Sequence, residues 1–310
     1  LGTTSASSAY YANEVGVAQI VNKYVPDIRI TVVETGSAHN NIAKMQDGYI
    51  DFAGAMALVT NVRAYHGLDK PRYKDNPPKF LRGFIAELTG GTYTFVRVDS
   101  GVNKLEDLSG EEFAFGNPGS SVNFIGRTLF DAWGIKAEPF AGGHGDALAA
   151  LKDGRIAGML ADITIGIAGI PPEIQEVHFL TPLKVVPLTE EQLDVAMKAY
   201  VGLQKVTRPA GELPGVTGPV TTYGATYTKM ASSKTSEDVV YKMAKAMYEH
   251  YDEYLTIAPM CPSNYDPIKE LVSSLDSMPE PLPLHAGVVK YCKEIGITVT
   301  EKLIPPEYKG

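Results

Sequence analysis

The run Gly116-Asn117-Pro118-Gly119-Ser120-Ser121 sets two glycines, a proline and paired serines directly ahead of an apolar, helix-forming stretch. That composition suits an anion. The first turn of a helix leaves backbone N–H groups without intrahelical partners and carries roughly half a positive charge, so it attracts a carboxylate without any basic side chain. Serine hydroxyls add donors, Gly119 lets the backbone approach a ligand closely, and Pro118 stiffens the loop. Near the start of the chain, Gly2-Thr3-Thr4-Ser5-Ala6-Ser7-Ser8 repeats the device, with Thr4, Ser5, Ser7 and Ser8 as hydroxyl donors. A third loop, Thr35-Gly36-Ser37-Ala38-His39-Asn40-Asn41, also leads from a strand into a helix. It adds Ser37, His39 and Asn40 as candidates. Helix capping alone explains most such turns. For the first loop capping and binding stand level; for Gly116 to Ser121 binding is favoured; for His39 capping or solvent exposure stands ahead of ligand contact.

Two further places have the residue types for chemistry. Asp162-Ile163-Thr164 follows a strand end, where α/β proteins bind ligands, and makes a wall in which Asp162 either receives an ammonium group or caps the next turn. Within Ala141-Gly142-Gly143-His144-Gly145-Asp146, Asp146 reads as a helix cap and His144 has no second ligand at HxxxH spacing, so no metal is expected. There is no GxSxG elbow, Walker loop or GxGxxG fingerprint, and neither catalysis nor a cofactor is expected.

The elements that must hold these loops alternate in type. Strands are predicted over Ile28–Glu34, Ile50–Met56, Leu81–Glu87, Thr92–Val98, Glu112–Gly116, Ile156–Ala161, Val177–Thr181 and Tyr223–Thr228. Helices are predicted over Ser8–Val25, Ala38–Asp47, Ser121–Trp133, Gly145–Asp153, Thr189–Ala199, Ser236–Tyr254 and Ala286–Glu294. The pattern is α/β with a mostly parallel sheet flanked by helices. A faint duplication runs through it. Met45-Gln46-Asp47-Gly48-Tyr49-Ile50 and Leu151-Lys152-Asp153-Gly154-Arg155-Ile156 both read as helix end, Asp-Gly, then a strand entered through Ile. Asp-Gly is common punctuation, but each copy is preceded by one of the hydroxyl-rich turns, so two similar lobes each present one loop-to-helix turn. A small molecule with one or two carboxylates would bridge the two turns across a cleft.

Bulk properties agree with a folded binding module. At 310 residues, with 44% apolar and 21% charged residues, the chain is long enough for two domains with proper cores. A net charge of -8, a pI near 5.3 and the absence of a basic stripe argue against nucleic acid. The longest apolar stretch, the 15 residues from Ile156 to Ile170, is broken by Asp162 and Thr164 and falls short of the roughly 20 needed to cross a bilayer. No signal peptide is visible, and the abrupt start at Leu1-Gly2-Thr3 reads as a mature or trimmed terminus. Cys261 and Cys292 admit either a single disulfide or two buried thiols.

Taken in order, several fragments resemble the TAXI family of extracytoplasmic receptors for tripartite ATP-independent periplasmic (TRAP) transporters. They are Gly2-Thr3 through Tyr10-Tyr11, Thr35-Gly36-Ser37 with Asn40, Gly48-Tyr49-Ile50-Asp51, Val96-Arg97-Val98-Asp99-Ser100-Gly101, Leu105-Glu106-Asp107-Leu108-Ser109-Gly110, Gly116-Asn117-Pro118-Gly119-Ser120 and Leu151-Lys152-Asp153-Gly154. Pro209-Ala210-Gly211, Pro214-Gly215-Val216 and Pro283-Leu284-His285-Ala286-Gly287 with Tyr291 continue the match. The resemblance implies a type II periplasmic binding protein fold, with lobe I over residues 1–97 plus 219–310 and lobe II over 98–218, joined by hinge strands. It also implies a monomeric periplasmic receptor, a TRAP membrane permease as partner, and a ligand such as glutamate or a 2-oxoglutarate-like acid. Tyr11, Met56 and Thr92 complete the candidate ligand contacts. Departures from the family pattern bear on the ligand. The first loop is poorer in glycine, His39 stands where a carboxylate is usual, and Met56 replaces a polar residue. His39 favours a more anionic ligand, while Met56 with Tyr10 or Tyr11 allows a more apolar body. An enzyme on the same fold, an ABC-type importer receptor and a sensory ligand-binding domain remain as alternatives.

Overall fold

The computed structural model describes residues 1–4, 6, 9–68, 71–258 and 260–310. Strand β1 (Gly2–Thr3) leads to helix α1 (Ala9–Tyr24), β2 (Val33–Glu34) to α2 (Ala38–Gln46), and β3 (Phe52–Ala57) to α3 (Leu58–Tyr65) and the short α4 (Pro71–Lys74). The long strand β4 (Leu81–Arg97) follows. Next come β5 (Glu112–Ala114), α5 (Ser121–Ala132), β6 (Glu138–Pro139), α6 (His144–Lys152), β7 (Gly158–Thr164), α7 (Pro172–Leu180), β8 (Leu183–Val186), α8 (Glu190–Ala199) and β9 (Gln204–Arg208). A second long strand, β10 (Val220–Ser232), leads to α9 (Glu237–Glu249), α10 (Tyr251–Leu255), α11 (Pro267–Asp276) and α12 (Ala286–Glu294). The chain forms two compact units, Leu1–Leu88 with Thr226–Gly310, and Thr89–Ala225. It passes from one to the other inside β4 and back inside β10.

In the first unit β1 pairs in parallel with β2 and β3, and β10 runs antiparallel to β3. In the second, β5 is parallel to β6 and β7, while β4 is antiparallel to β7 and β8, and β9 to β10. The sheets are therefore mixed, and every antiparallel ladder involves one of the two long strands. Period-2 alternation sorts the second unit's core onto two faces. Phe95, Met159, Ala161 and Val185 pack with Ala147, Ala150 and Leu151 of α6 and with Ile174 and Val177 of α7. Their neighbours Val96, Leu160 and Val186 pack with Phe113, Phe115 and Phe130 on the other face. Each fully buried Leu or Phe contributes about 1.5–3 kcal/mol, so a two-faced sheet of this kind supplies its own core.

The duplicated helix ends fold identically. After α2, Gly48 N donates to Met45 O (3.1 Å) and Tyr49 N to Lys44 O (2.8 Å); after α6, Gly154 N donates to Leu151 O (3.2 Å) and Arg155 N to Ala150 O (2.8 Å). Gly48 and Gly154 have φ of 73° and 72°, the left-handed conformation that this C-cap requires and that a side chain disfavours.

Several sequence expectations are corrected. Val177–Thr181 lies in and just beyond helix α7, which Pro172 at its first turn and Glu173 initiate; Val177 joins Ile174 on the buried side of that helix, while Phe179 and Leu180 are exposed, so the run is not a strand. Leu81–Glu87 and Thr92–Val98 are one strand, because Gly90 and Gly91 continue the ladder opposite Thr164 and Ile163. Ser236–Tyr254 breaks at His250, whose φ of -117° and ψ of 30° separate α9 from α10. Of Ile28–Glu34 only Val33–Glu34 is strand. Helices α3 and α11 and strands β8 and β9 were not anticipated. Cys261 and Cys292 are free and buried, and burial pushes both thiols up to about 12. No helix among the described residues is long and apolar enough to cross a membrane.

Candidate functional site

In the first unit, the turn from β2 into α2 is built by its own side chains. Ser37 Oγ accepts from Asn40 N at 3.4 Å as the helix cap, and Asn40 Nδ2 donates to Thr35 O at 3.2 Å. Thr35 Oγ1 bonds Thr3 O and Asn41 Oδ1, and Asn41 Nδ2 donates to Gly54 O at 3.3 Å. Thr35 and Asn41 are thus the buried ties that align the ends of β1, β2 and β3, and sequence reasoning singled out neither for a role. Both lie in the third candidate loop, but only the parallel pairing of three strands brings them against Thr3 and Gly54. Asn40 is exposed and Ser37 buried. His39 is 2% exposed, and its Nδ1 lies 3.2 Å from the hydroxyl of the buried Tyr73. Met56 is fully buried in β3, and its carbonyl accepts from Thr228 Oγ1 at 3.2 Å. Thr4 is half-buried, with no hydrogen-bond partner for its Oγ1 among the described residues, and Tyr11 is half-buried on the first turn of α1. Ser5, Ser7 and Ser8 lie outside the described residues.

The second unit gathers its candidates at the loops following β5, β7 and β6. Ser120 caps α5 by accepting from Asn123 N at 3.2 Å, and its own N–H donates to Asn117 O at 3.0 Å. Gly116 and Gly119 take φ of 86° and 80°, folding the loop back ahead of the helix. Ser121 is buried at the first helical position. Asn117 Oδ1 accepts from His144 N at 2.7 Å, so the side chain of the β5–α5 loop caps the neighbouring helix α6. The N-termini of α5 and α6 are therefore tied together. Asp146 caps α6 as expected, accepting from Gly143 N at 3.1 Å. His144 Nε2 lies 3.7 Å from Glu173 Oε1, and that neighbour holds the Glu173 carboxyl below its usual range.

Asp162, Ile163 and Thr164 do not follow the strand as expected but are its last three residues, at the end of β7 and paired with β4; Thr92 Oγ1 donates to Asp162 Oδ1, and Thr92 O accepts from Thr222 Oγ1 at 2.6 Å. Asp162 is half-buried and Thr164 buried. Burial raises the Tyr223 hydroxyl well above its ordinary range, with the charge of Asp162 adding to the effect. The loop beyond β7 is shaped by Arg208, which is 2% exposed. Its guanidinium donates to Thr164 O (2.8 Å), Ile167 O (2.6 Å) and Gly169 O (2.8 Å), and pairs with Glu212 at 2.7 Å. No local motif flags Arg208, because the carbonyls it holds lie 39 to 44 positions away in the sequence. What the second unit offers chemically is a pair of joined helix N-termini able to accept an anion, and a carboxylate at a strand end held by a threonine hydroxyl.

A model of the NMT1-like family matches residues 1–296, nearly the whole chain. The chain belongs to the NMT1-like family. Solved structures similar to this NMT1-like chain include proteins described as parts of ABC transporters. XAC2383 from Xanthomonas citri, solved with a bound chloride ion, is 12% identical over 94% of this chain and 98% of its own, with a TM-score of 0.55. A protein described as an L-cystine ABC transporter from Listeria monocytogenes is 14% identical, covering 86% of this chain and 96% of its own, at a TM-score of 0.52. A structure described for glutathione import through GshT and the cystine ABC importer TcyBC of Streptococcus mutans is 9% identical, covering 86% and 98%, at 0.51. At these identities the likeness is one of fold: this NMT1-like chain has the α/β fold of type II periplasmic solute-binding proteins.

Proposed function

We propose that the chain is the extracytoplasmic receptor of a TAXI-type TRAP transporter, which captures a small carboxylate and delivers it to a membrane permease. The ligand class is a dicarboxylate or oxo acid such as 2-oxoglutarate, with glutamate next. The observation that carries this reading is the union of the α5 and α6 N-termini through Asn117, with Ser120 capping one of them. Two helix dipoles then act on one anion, and each charge-assisted hydrogen bond contributes on the order of 1.5–3 kcal/mol. The α2 turn, with Ser37 and Asn40, is the first unit's contribution, and the two units act as lobes that close on the solute. Asp162 favours glutamate over a plain diacid wherever an ammonium group is present. A receptor for an ABC importer is the second reading, favoured by the ABC importers named for two of the similar structures.

A thermal-shift screen of ligand-stripped protein against C4 to C6 dicarboxylates, oxo acids and amino acids tests the anion reading. A ligand that binds only the folded state raises Tm through RT ln(1 + [L]/Kd). No shift with any acid overturns it. The neighbouring genes separate the two receptor types: fused TRAP membrane subunits on one reading, an ATPase on the other.

A further inference from the structure

The first unit buries two carboxylates around one ammonium. Lys229 Nζ on β10 lies 3.0 Å from Glu14 Oε1 on α1 and 3.2 Å from Glu87 Oε1 on β4, and the three side chains are at most 1% exposed. Asn13 Nδ2 donates to Glu87 Oε1. The atoms of the group left without a partner among the described residues are all acceptors. Glu14 Oε2, Glu87 Oε2 and Asn13 Oδ1 are buried and have no hydrogen-bond partner among the described residues. An acceptor shut away from water is costly unless a donor reaches it, and so is a net charge. The backbone closes over the group: a Cβ at Gly54 would sit 1.7 Å from Glu14 Oε1, and β3 and β10 slip register beside it, between Thr228 and Met230.

We infer that this cluster is a proton-binding site: the folded unit holds one proton on the Glu14 carboxyl, which turns one surplus acceptor into a donor and leaves one carboxylate to balance Lys229. The other groups nearby do not supply that charge from a side chain. Tyr254 of α10 lies under Lys229, its ring centroid 5.9 Å from Nζ, and its hydroxyl is 3.4 Å from Cys261 Sγ. Burial raises Tyr254 far above its usual range and Cys261 to about 12, so both stay neutral, as does Tyr251, raised chiefly by burial. The Leu1 amino group also faces Glu14, and its own pKa is lowered by burial. Consistently, burial pushes the Glu14 carboxyl up to about 7, against the pull of Lys229 and with the help of Glu87.

A carboxyl raised in the folded state stabilises the fold at low pH, and that contribution is lost as pH rises from the ordinary carboxylate range through about 7. The experiment compares Tm of the full-length wild type, Glu14→Gln and Glu87→Gln from about pH 5 to about pH 8.5. His285, whose pKa burial lowers, contributes the opposite slope to all three proteins, so the difference between them isolates the cluster. Wild-type Tm is expected to fall by several degrees relative to either variant as pH rises. The glutamine amide at position 14 supplies the donor permanently, and removal of Glu87 leaves a balanced pair. Parallel profiles overturn the proposal. Should neither variant fold, infrared spectroscopy of the wild type decides. A neutral-carboxyl stretch that persists where exposed carboxylates are ionised, and vanishes at alkaline pH, supports the site, and its absence overturns it. Neither readout uses a ligand, so the outcome is separate from that of the proposed transport role.

Discussion

Ser120 and Ser236 perform the same structural task on different helices. Ser120 Oγ accepts from Asn123 N at 3.2 Å, and Ser236 Oγ accepts from Val239 N at 3.3 Å. Replacing either by alanine is expected to cost about 1 kcal/mol, the ordinary price of a lost cap. If the α5 turn receives the anion, Ser120→Ala also weakens ligand binding, by about tenfold for one lost hydrogen bond of 1.4 kcal/mol, while Ser236→Ala leaves affinity unchanged. Calorimetric titration of both variants measures this, and equal affinities would remove Ser120 from the site. Lys229→Met makes a different kind of demand. It strands Glu14 and Glu87 in the core, and breaking such a group costs about 3–5 kcal/mol. Denaturant unfolding should show that loss at alkaline pH and a smaller one at acid pH, where the Glu14 carboxyl neutralises. Ser120 was legible in the sequence because a cap needs only neighbours along the chain. Lys229 was not, since its partner Glu14 is 215 positions away and no local pattern records which strand a helix will cover.

Elements show the same division between local and distant causes. Caps and left-handed exits marked α2, α5 and α6, and the start of α9, to within a residue, because Ser37, Ser120, Ser236, Gly48 and Gly154 act within one turn. The gap expected between Glu87 and Thr92 is strand in the structure, because the neighbouring β7 supplies ladder bonds that keep Gly90 and Gly91 extended, and no local signal records that neighbour. The loop after β7 is another element shaped from outside. Two of its carbonyls, with that of Thr164 at the last position of β7, converge on Arg208, so Arg208→Gln should unfasten residues 165–170 while leaving the strands behind. The expected loss is at least about 2 kcal/mol, and hydrogen exchange at Ile165 and the residues following it should accelerate relative to α12. Arg208→Lys is expected to behave like the glutamine variant in exchange, since an ammonium next to Glu212 lacks the planar fork that reaches three acceptors. If lysine restores protection, charge and not geometry holds the loop.

For the whole molecule, the net charge of -8 opposes the kind of ligand proposed for it. The chain as a whole repels a dianion at long range, while the joined helix ends attract it only over the last few ångströms, within a Debye length of about 8 Å at physiological ionic strength. Those two ranges respond differently to salt. Screening weakens the long-range repulsion first, so the association rate for a C5 dicarboxylate should rise severalfold between low and physiological salt, with the dissociation rate changing less. A ligand with no net charge, such as a neutral zwitterionic amino acid, should associate at a rate nearly independent of salt. Trp133 is the chain's only tryptophan and stands at the end of α5, where its Nε1 donates to Gln192 O at 2.9 Å, so stopped-flow fluorescence has one reporter on the helix in question. A rate that rises with salt for a dianion supports capture by local helix ends within a repelling surface. A rate that falls instead means that a positive field reaches well beyond the loops, which would move the search for the anion site from the α5 and α6 turns to the scattered lysines and arginines.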